Sequence, residues 1–228
     1  MKLLYTGILA LMLSAASTAL IAQTQPKLPF QNNMSVQLAA GTQGVGADLR
    51  YGVVDRLSVR GGASFVPMRV NNVFSFSGFQ STNNASVKFS NVHLLADYVP
   101  FNKARGFRVV GGAAYLYQAK GGIEVLPTGT YNVGNYQLTS QDLGQLNIDV
   151  SWKGVAPYLG IGLFKSFPQR WFNVNLDLGT YYLSQPRSTV VGTKMLSENY
   201  QMAPQLNANL KNYRWLPVMQ LNFNFKIK

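Results

Sequence analysis

The stretch Phe172–Tyr182, FNVNLDLGTYY, decides the fold because its residues alternate between two chemical classes. The even-numbered positions carry apolar residues, aromatic residues or threonine, whereas the odd-numbered positions carry asparagine, aspartate, glycine and one tyrosine. A period of two residues is the repeat of a β-strand with one apolar and one polar face, and an α-helix does not produce it. The C-terminal stretch 216–228, LPVMQLNFNFKIK, repeats the alternation. Both segments are therefore predicted to be β-strands.

Six further segments show the same alternation and raise the predicted number of strands to about eight. They cover residues 34–40, 45–52, 57–65, 91–98, 107–118 and 159–163. The apolar parity slips by one residue between positions 40 and 45, so Gly41 to Gly44 form either a tight turn or a bulge within one long strand. A turn gives the even strand number that is usual for single-chain barrels, whereas a bulge requires a further strand between Ser188 and Met195.

The connections between the predicted strands alternate between short and long. Short connections lie near residues 54–56, 102–105 and 166–170, and long ones span roughly 71–84, 120–153 and 185–212. Short turns at one end and long loops at the outward end are typical of outer-membrane β-barrels. Residues 196–212 have the spacing of a short amphipathic helix. The predicted fold class is all-β, a transmembrane antiparallel up-and-down β-barrel of about eight strands.

The N-terminus has the features of a secretory signal peptide. A basic residue, Lys2, precedes an apolar run from Leu3 to Leu13, and small residues follow up to a cleavage site predicted after Ala22. A transmembrane anchor is the alternative, but the apolar run is shorter than the roughly 18 residues that a helical span needs. The predicted organisation is a signal peptide at 1–22 and an outer-membrane β-barrel domain at 23–228.

Composition limits the function classes open to the chain. Only 12% of the residues are charged, no cysteine is present, and the formal net charge is +12. The absence of cysteine excludes disulfides, thiolate metal sites and lipid attachment to cysteine. The basic residues are scattered rather than clustered with aromatic residues, which argues against a nucleic-acid partner and favours an anionic membrane surface, including the phosphates of lipopolysaccharide. A monomer without a cofactor or metal is expected.

Charged residues occur deep within the polar faces of the predicted strands. In a barrel of this size the apolar face meets lipid and the other face fills the interior, so these charges are expected to pair inside. The predicted interior charge network consists of Asp48, Arg50, Arg60, His93, Asp97, Arg108 and Asp177. Glycines on the same face are expected to make room for longer side chains: Gly46, Gly52, Gly62, Gly112, Gly160, Gly162 and Gly179. Leu95 and Val110 are apolar exceptions on this face.

Aromatic residues mark the strand ends next to the short turns. They are Tyr51, Tyr98, Phe101, Phe107, Phe164, Trp171 and Phe172. This placement is typical of the aromatic girdle at a membrane interface. On the lipid face, Leu176→Arg is expected to cost ~2 to 4 kcal/mol, whereas Asn175→Arg on the polar face is expected to be far milder.

Three stretches resemble known outer-membrane proteins. The last strand, with Phe223 and Phe225, resembles the C-terminal signal of outer-membrane barrels, which implies recognition by the barrel-assembly machinery. The continuation to Ile227 and Lys228 resembles the tails of Bacteroidetes-type barrels. The stretches 96–108, ADYVPFNKARGFR, and 157–179, PYLGIGLFKSFPQRWFNVNLDLG, resemble a family of outer-membrane proteins, and the architecture is similar to that of the OmpA and OmpW barrels. The resemblance implies an outer-membrane location and assigns no catalytic residue.

These features predict an integral outer-membrane barrel with a structural or small-pore role and a plugged interior. A barrel that presents its long loops for binding or adhesion is one alternative, and a lipid-modifying outer-membrane enzyme is a weaker one. Such enzymes use histidine with serine or acidic partners, and the sequence holds a single histidine, His93. The main structural rival is a soluble secreted β-protein.

Overall fold

The computed structural model describes residues 30–72, 80–133 and 136–227. The predicted signal peptide, residues 1–22, lies outside the described residues. The strands are β1 (Met34–Gly41), β2 (Gly44–Val54), β3 (Leu57–Asn71), β4 (Ser81–Tyr98), β5 (Arg108–Pro127), β6 (Tyr131–Val133), β7 (Tyr136–Leu138), β8 (Leu146–Leu163), β9 (Phe172–Tyr182), β10 (Arg187–Gly192) and β11 (Trp215–Lys226). Apart from the short β6–β7 hairpin, they belong to one antiparallel sheet.

The sheet closes on itself as an up-and-down barrel of eight staves. Its order is β8, β5, β4, β3, β2, β1, β11, β9, and the pairing of β8 with β9 completes the ring. The first and last strands pair over seven residues of β1, from Ser35 opposite Lys226 to Gly41 opposite Gln220. Closure leaves no unpaired edge in the ring, as a sheet within a membrane requires. The predicted fold class is confirmed.

The glycines between β1 and β2 form a turn rather than a bulge. Gly41 pairs with Gly44 across a two-residue turn, and Gly44 has φ of +81°, a left-handed conformation that glycine adopts without a steric penalty. A strand is also present in the 188–195 region, but β10 is not an additional stave. It pairs with the outer part of β8 in nearly the same register as β9, so it continues β9 after a break at residues 183–186. The Ser184 hydroxyl bonds Lys153 there.

The polarity of the barrel is inverted relative to a water-soluble protein. Large apolar residues of every stave face outward and are exposed, among them Leu38, Leu49, Leu94, Leu159, Val174 and Leu221. Polar residues of the alternate parity are buried inside, among them Gln37, Asp48, Asn91, Asn175 and Asn222. A surface of this kind is stable only in lipid, and the predicted aromatic residues Tyr51, Tyr98, Phe101, Trp171 and Phe172 are exposed at one end of the apolar band. The chain is therefore a transmembrane barrel and not a soluble secreted β-protein.

The two ends of the barrel differ in their connections. The end that holds Met34 and Lys226 has only compact connections, at 55–56, 99–107 and 164–171, which identifies it as the periplasmic end. At the outer end, β3, β4, β5 and β8 continue well beyond the shorter strands β1, β2, β9 and β11. The predicted loop at 120–153 is therefore wrong in part, because paired strand reaches Pro127 and resumes at Leu146. Outside the membrane, water contacts both faces of a strand, so apolar and polar residues alternate less strictly there. The strand ends were therefore not visible in the sequence pattern.

Helical segments lie only in the outer connections of the described residues. The predicted helix at 196–212 is present as a 3₁₀-helix, η1 (Lys194–Met202), that runs into α2 (Ala203–Leu210). The short helix α1 (Ser140–Leu143) begins after Thr139, whose hydroxyl and amide donate to the Asp142 carboxylate and lower the pKa of that carboxyl. Among the described helices, none combines the length and apolar character of a membrane span.

Candidate functional site

The structure places all seven residues of the predicted charge network in one buried cluster inside the barrel. They come from five strands, β2, β3, β4, β5 and β9, and each side chain is at most 5% exposed. Three arginines and three aspartates balance one another's charge. The guanidinium of Arg50 lies 3.6 Å from the Asp97 carboxylate, and Arg108 lies 3.3 Å from the same group. Arg108 also pairs with Asp177 across β8.

Arg60 is the centre of the cluster. Its guanidinium lies 2.7 Å from Asp177, 3.4 Å from Asp97 and 3.9 Å from Asp48, so it contacts all three acids. The contact with Asp177 crosses the lumen from β3 to β9, strands that are not neighbours in the sheet. A single side chain thereby ties opposite walls of the barrel together.

Side-chain amides extend the network, and sequence analysis assigned them no role beyond their polar parity. Gln37 donates to Asp48 at 2.6 Å and accepts from Arg50 at 2.7 Å. Asn222 donates to Asp177 at 2.8 Å, and Asn175 accepts from Arg108 at 2.9 Å. Such hydrogen bonds to charged groups offset the cost of removing those groups from water. These residues could have been identified from the sequence, because they occupy the same alternating, inward-facing positions of the strands as the aspartates.

His93 takes part in the network as a structural bridge. One ring nitrogen, Nε2, lies 2.8 Å from an oxygen of Asp48, and Nδ1 lies 2.9 Å from the side-chain oxygen of Asn91. Asn91 in turn donates to the Ser64 hydroxyl at 2.7 Å. Both nitrogens are thus engaged by neighbouring side chains within the packed interior.

Several of the predicted glycines lie directly beneath long interior side chains. A Cβ atom at Gly162 would overlap the guanidinium of Arg108, and one at Gly62 would overlap the Asp48 carboxylate. A Cβ atom at Gly160 would lie 2.6 Å from the Tyr158 hydroxyl. The absence of a side chain at these positions allows the charged and aromatic groups to lie flat against the wall.

We expect Gly162→Ala to lower the free energy of unfolding by about 1 to 3 kcal/mol, because the added methyl group must displace Arg108 from its two acids. Gly111→Ala is the matched control, since an added Cβ there meets no atom within 4 Å. Urea unfolding in lipid vesicles, followed by tryptophan fluorescence, measures both. Equal stability of the two variants would show that Arg108 does not depend on the space above Gly162.

An apolar cluster fills the interior on the outer side of the charges, and this cluster was not predicted. Tyr158 and Tyr181 pack with ring centroids 4.8 Å apart, and Leu116, Leu183 and Val218 close around them. The two exceptions noted in the sequence, Leu95 and Val110, belong to this cluster. The sequence does hold one signal for this cluster, namely apolar residues at positions that face the lumen. A lumen filled with water would not favour apolar residues there.

A second apolar cluster closes the periplasmic end. Phe30, Val99 and Phe167 pack together, with the rings of Phe30 and Phe167 5.1 Å apart. The guanidinium of Arg50 lies 6.0 Å above the Phe167 ring, so this cluster lies directly against the charges. Phe30 and Phe167 lie outside the alternating segments, and sequence periodicity therefore could not identify them.

The described interior side chains are arranged in layers along the barrel axis. The charges occupy one level, and apolar side chains lie on both sides of that level along the barrel axis. Within the described ranges, no group of three or more histidines and acids is arranged to hold a metal ion. The ion pairs and apolar contacts of the interior therefore join strands from different parts of the barrel wall.

Comparison with known proteins supports this architecture. The sequence matches no protein-family model and no curated protein. Among solved structures, CarO from Acinetobacter baumannii superposes with a TM-score of 0.61 at 23% identity, covering 89% of this chain and 100% of CarO. CarO2 from the same species has a TM-score of 0.60 at 19% identity and covers 86% of this chain and 98% of its own.

These two structures show that the fold is shared. Neither gives support to the Bacteroidetes-type origin that the tail suggests, since both come from Acinetobacter. In this chain, the closed ring of antiparallel strands has an apolar exterior and compact connections at one end, which are characteristic of outer-membrane barrels. The chain is an integral β-barrel protein of the outer membrane.

Proposed function

We propose that this protein is a closed structural barrel of the outer membrane rather than an open pore or an enzyme. The observation that carries the proposal is the position of Arg60, which lies within 4 Å of acids from three strands inside the lumen. A solute crossing the barrel would have to break these contacts and separate the apolar clusters on both sides. Eight-stranded barrels have an interior just wide enough for side chains to fill.

Planar-bilayer recording tests the closed state. The refolded mature chain is expected to produce no single-channel steps under conditions in which a general porin conducts. Reproducible conductance steps from the wild-type protein would contradict the proposal and favour the small-pore alternative if their size changed in the Asp177→Asn variant. Such a change would trace the conductance to the lumen, because Asp177 points into it.

One observation favours a second candidate, a barrel that presents a binding or adhesion surface. The part of β3, β4, β5 and β8 beyond the membrane forms a projecting sheet, and its inner face carries the exposed apolar residues Met68, Val70 and Val87. Exposed apolar groups on a rigid scaffold are a common basis of binding. Adhesion of cells that produce the wild-type chain or Val87→Asp tests this candidate. Equal adhesion by both strains would argue against it.

A further inference from the structure

Four cations line the outward face of the projecting sheet where it leaves the membrane. Lys88 of β4 and Lys120 of β5 are direct cross-strand partners, Lys120 is the partner of Ser151, and Ser151 is the partner of Arg187. Arg69 of β3 lies one step further out, opposite Ser86. All four basic residues are exposed, and we call Arg69, Lys88, Lys120 and Arg187 the cationic row.

The cationic row is not neutralised by the protein itself. Like charges directly opposite each other on a sheet are destabilising, and Lys88 faces Lys120 in this way. The ion pairs found among the described residues all lie elsewhere, in the lumen and between Arg105 and Asp55. Asp149 lies diagonally outward of Lys120 on the same face without forming an ion pair. The row therefore keeps an excess of positive charge that an external anion would stabilise.

The depth of the cationic row coincides with the outer boundary of the membrane. Tyr98 marks the periplasmic end of the apolar band on β4, and Leu94 and Val92 lie between it and Lys88. The ten residue steps from Tyr98 to Lys88 extend about 33 Å along the strand. At the usual tilt of about 40° this length spans the ~25 Å apolar band of an outer-membrane barrel. The cations thus lie at the level of the lipid headgroups.

We propose that the cationic row binds the phosphate groups of lipopolysaccharide in the outer leaflet. Two ammonium groups on neighbouring strands, flanked by a guanidinium on each side, suit a ligand with several phosphate oxygens. Toward the membrane on the same outward face, the exposed residues Val92 on β4 and Val155 on β8 follow after Ser90 and Lys153 and would contact the acyl chains of the same molecule. This site is on the outer wall, so it does not depend on whether the lumen conducts.

Titration of the refolded full-length mature protein in detergent tests the proposal. The probe is purified deep-rough lipopolysaccharide that keeps its lipid A phosphates, with EDTA present so that no divalent cation bridges acidic groups. Lys88→Gln/Lys120→Gln is expected to bind roughly thirtyfold more weakly than the wild type, the effect of losing two cations at an anionic surface. The conservative variant Lys88→Arg/Lys120→Arg is expected to bind as the wild type does.

Two controls separate the site from general charge and from apolar contact. Lys103→Gln/Arg170→Gln removes the same charge at the periplasmic end, where both residues are exposed, and is expected to leave binding within twofold of the wild type. Chemically dephosphorylated lipopolysaccharide is expected to bind all variants equally and weakly. An equal loss in the periplasmic control, undiminished binding of the dephosphorylated lipid, or a preference of the row for an acidic peptide would each overturn the proposal. A heat-modifiable gel band verifies folding of every variant.

Discussion

Replacing Arg60 with alanine is expected to lower the free energy of unfolding by about 3 to 5 kcal/mol. The guanidinium is buried and contacts Asp48, Asp97 and Asp177, so its removal leaves three acids facing two arginines within the packed lumen. A buried charge without its partner keeps the full cost of desolvation. Urea unfolding in lipid vesicles, with the tryptophans as reporters, measures the loss.

Arg105→Ala is the matched control for this experiment. Arg105 pairs with Asp55 at 3.2 Å near the periplasmic turn, where the Asp55 side chain is half exposed. The Arg105 side chain is 19% exposed, and a partly exposed ion pair of this kind contributes about 1 kcal/mol, so the control is expected to lose much less stability than Arg60→Ala. If both variants lose the same small amount, the cluster does not stabilise the barrel, and the ion pairs in the lumen behave as though they were in water.

A double variant distinguishes lost pairing from lost packing. Arg60→Met/Asp177→Asn removes one charge of each sign and keeps most of the side-chain volume. We expect it to be more stable than Arg60→Ala, because the remaining two arginines face two acids. A double variant as unstable as Arg60→Ala would indicate that the placement of the guanidinium among the three acids, rather than the charge balance, determines stability.

The exterior and the charged residues of the lumen could be predicted because the membrane imposes a local rule. Lipid requires an apolar residue at every second position of a stave, so the parity of Leu176 fixes the inward direction of Asp177 without further information. The partners of each charge could not be predicted. The contact between Arg60 and Asp177 joins non-neighbouring strands across the lumen, and sequence periodicity does not report which side chains meet there.

The density of the interior also changes one expectation drawn from the sequence. Polar parity alone suggests that Asn175→Arg would be mild. The structure shows that Asn175 is fully buried and accepts hydrogen bonds from Arg108 and Asn222. A fourth arginine at this position would have neither space nor a free acid. Asn175→Arg is therefore unsuitable as a benign control for substitutions on the lipid face.

Leu94→Arg is expected to make folding into the membrane less favourable by about 2 to 4 kcal/mol. Leu94 faces outward, is 66% exposed, and lies between Tyr98 and Lys88, near the middle of the apolar band on β4. An arginine there must either lose its hydration in lipid or distort the bilayer. Refolding from urea into phospholipid vesicles, followed by heat-modifiable mobility, measures the cost.

Val191→Arg provides a control that differs mainly in depth. Val191 is also apolar and 55% exposed, but it lies on β10, beyond the level of the cationic row. Water surrounds its outward face there, so arginine is expected to change stability by only a few tenths of a kcal/mol. A large cost at Leu94 and none at Val191 would place the membrane boundary between them. Equal costs would contradict the boundary, and with it the headgroup level assigned to Lys88 and Lys120.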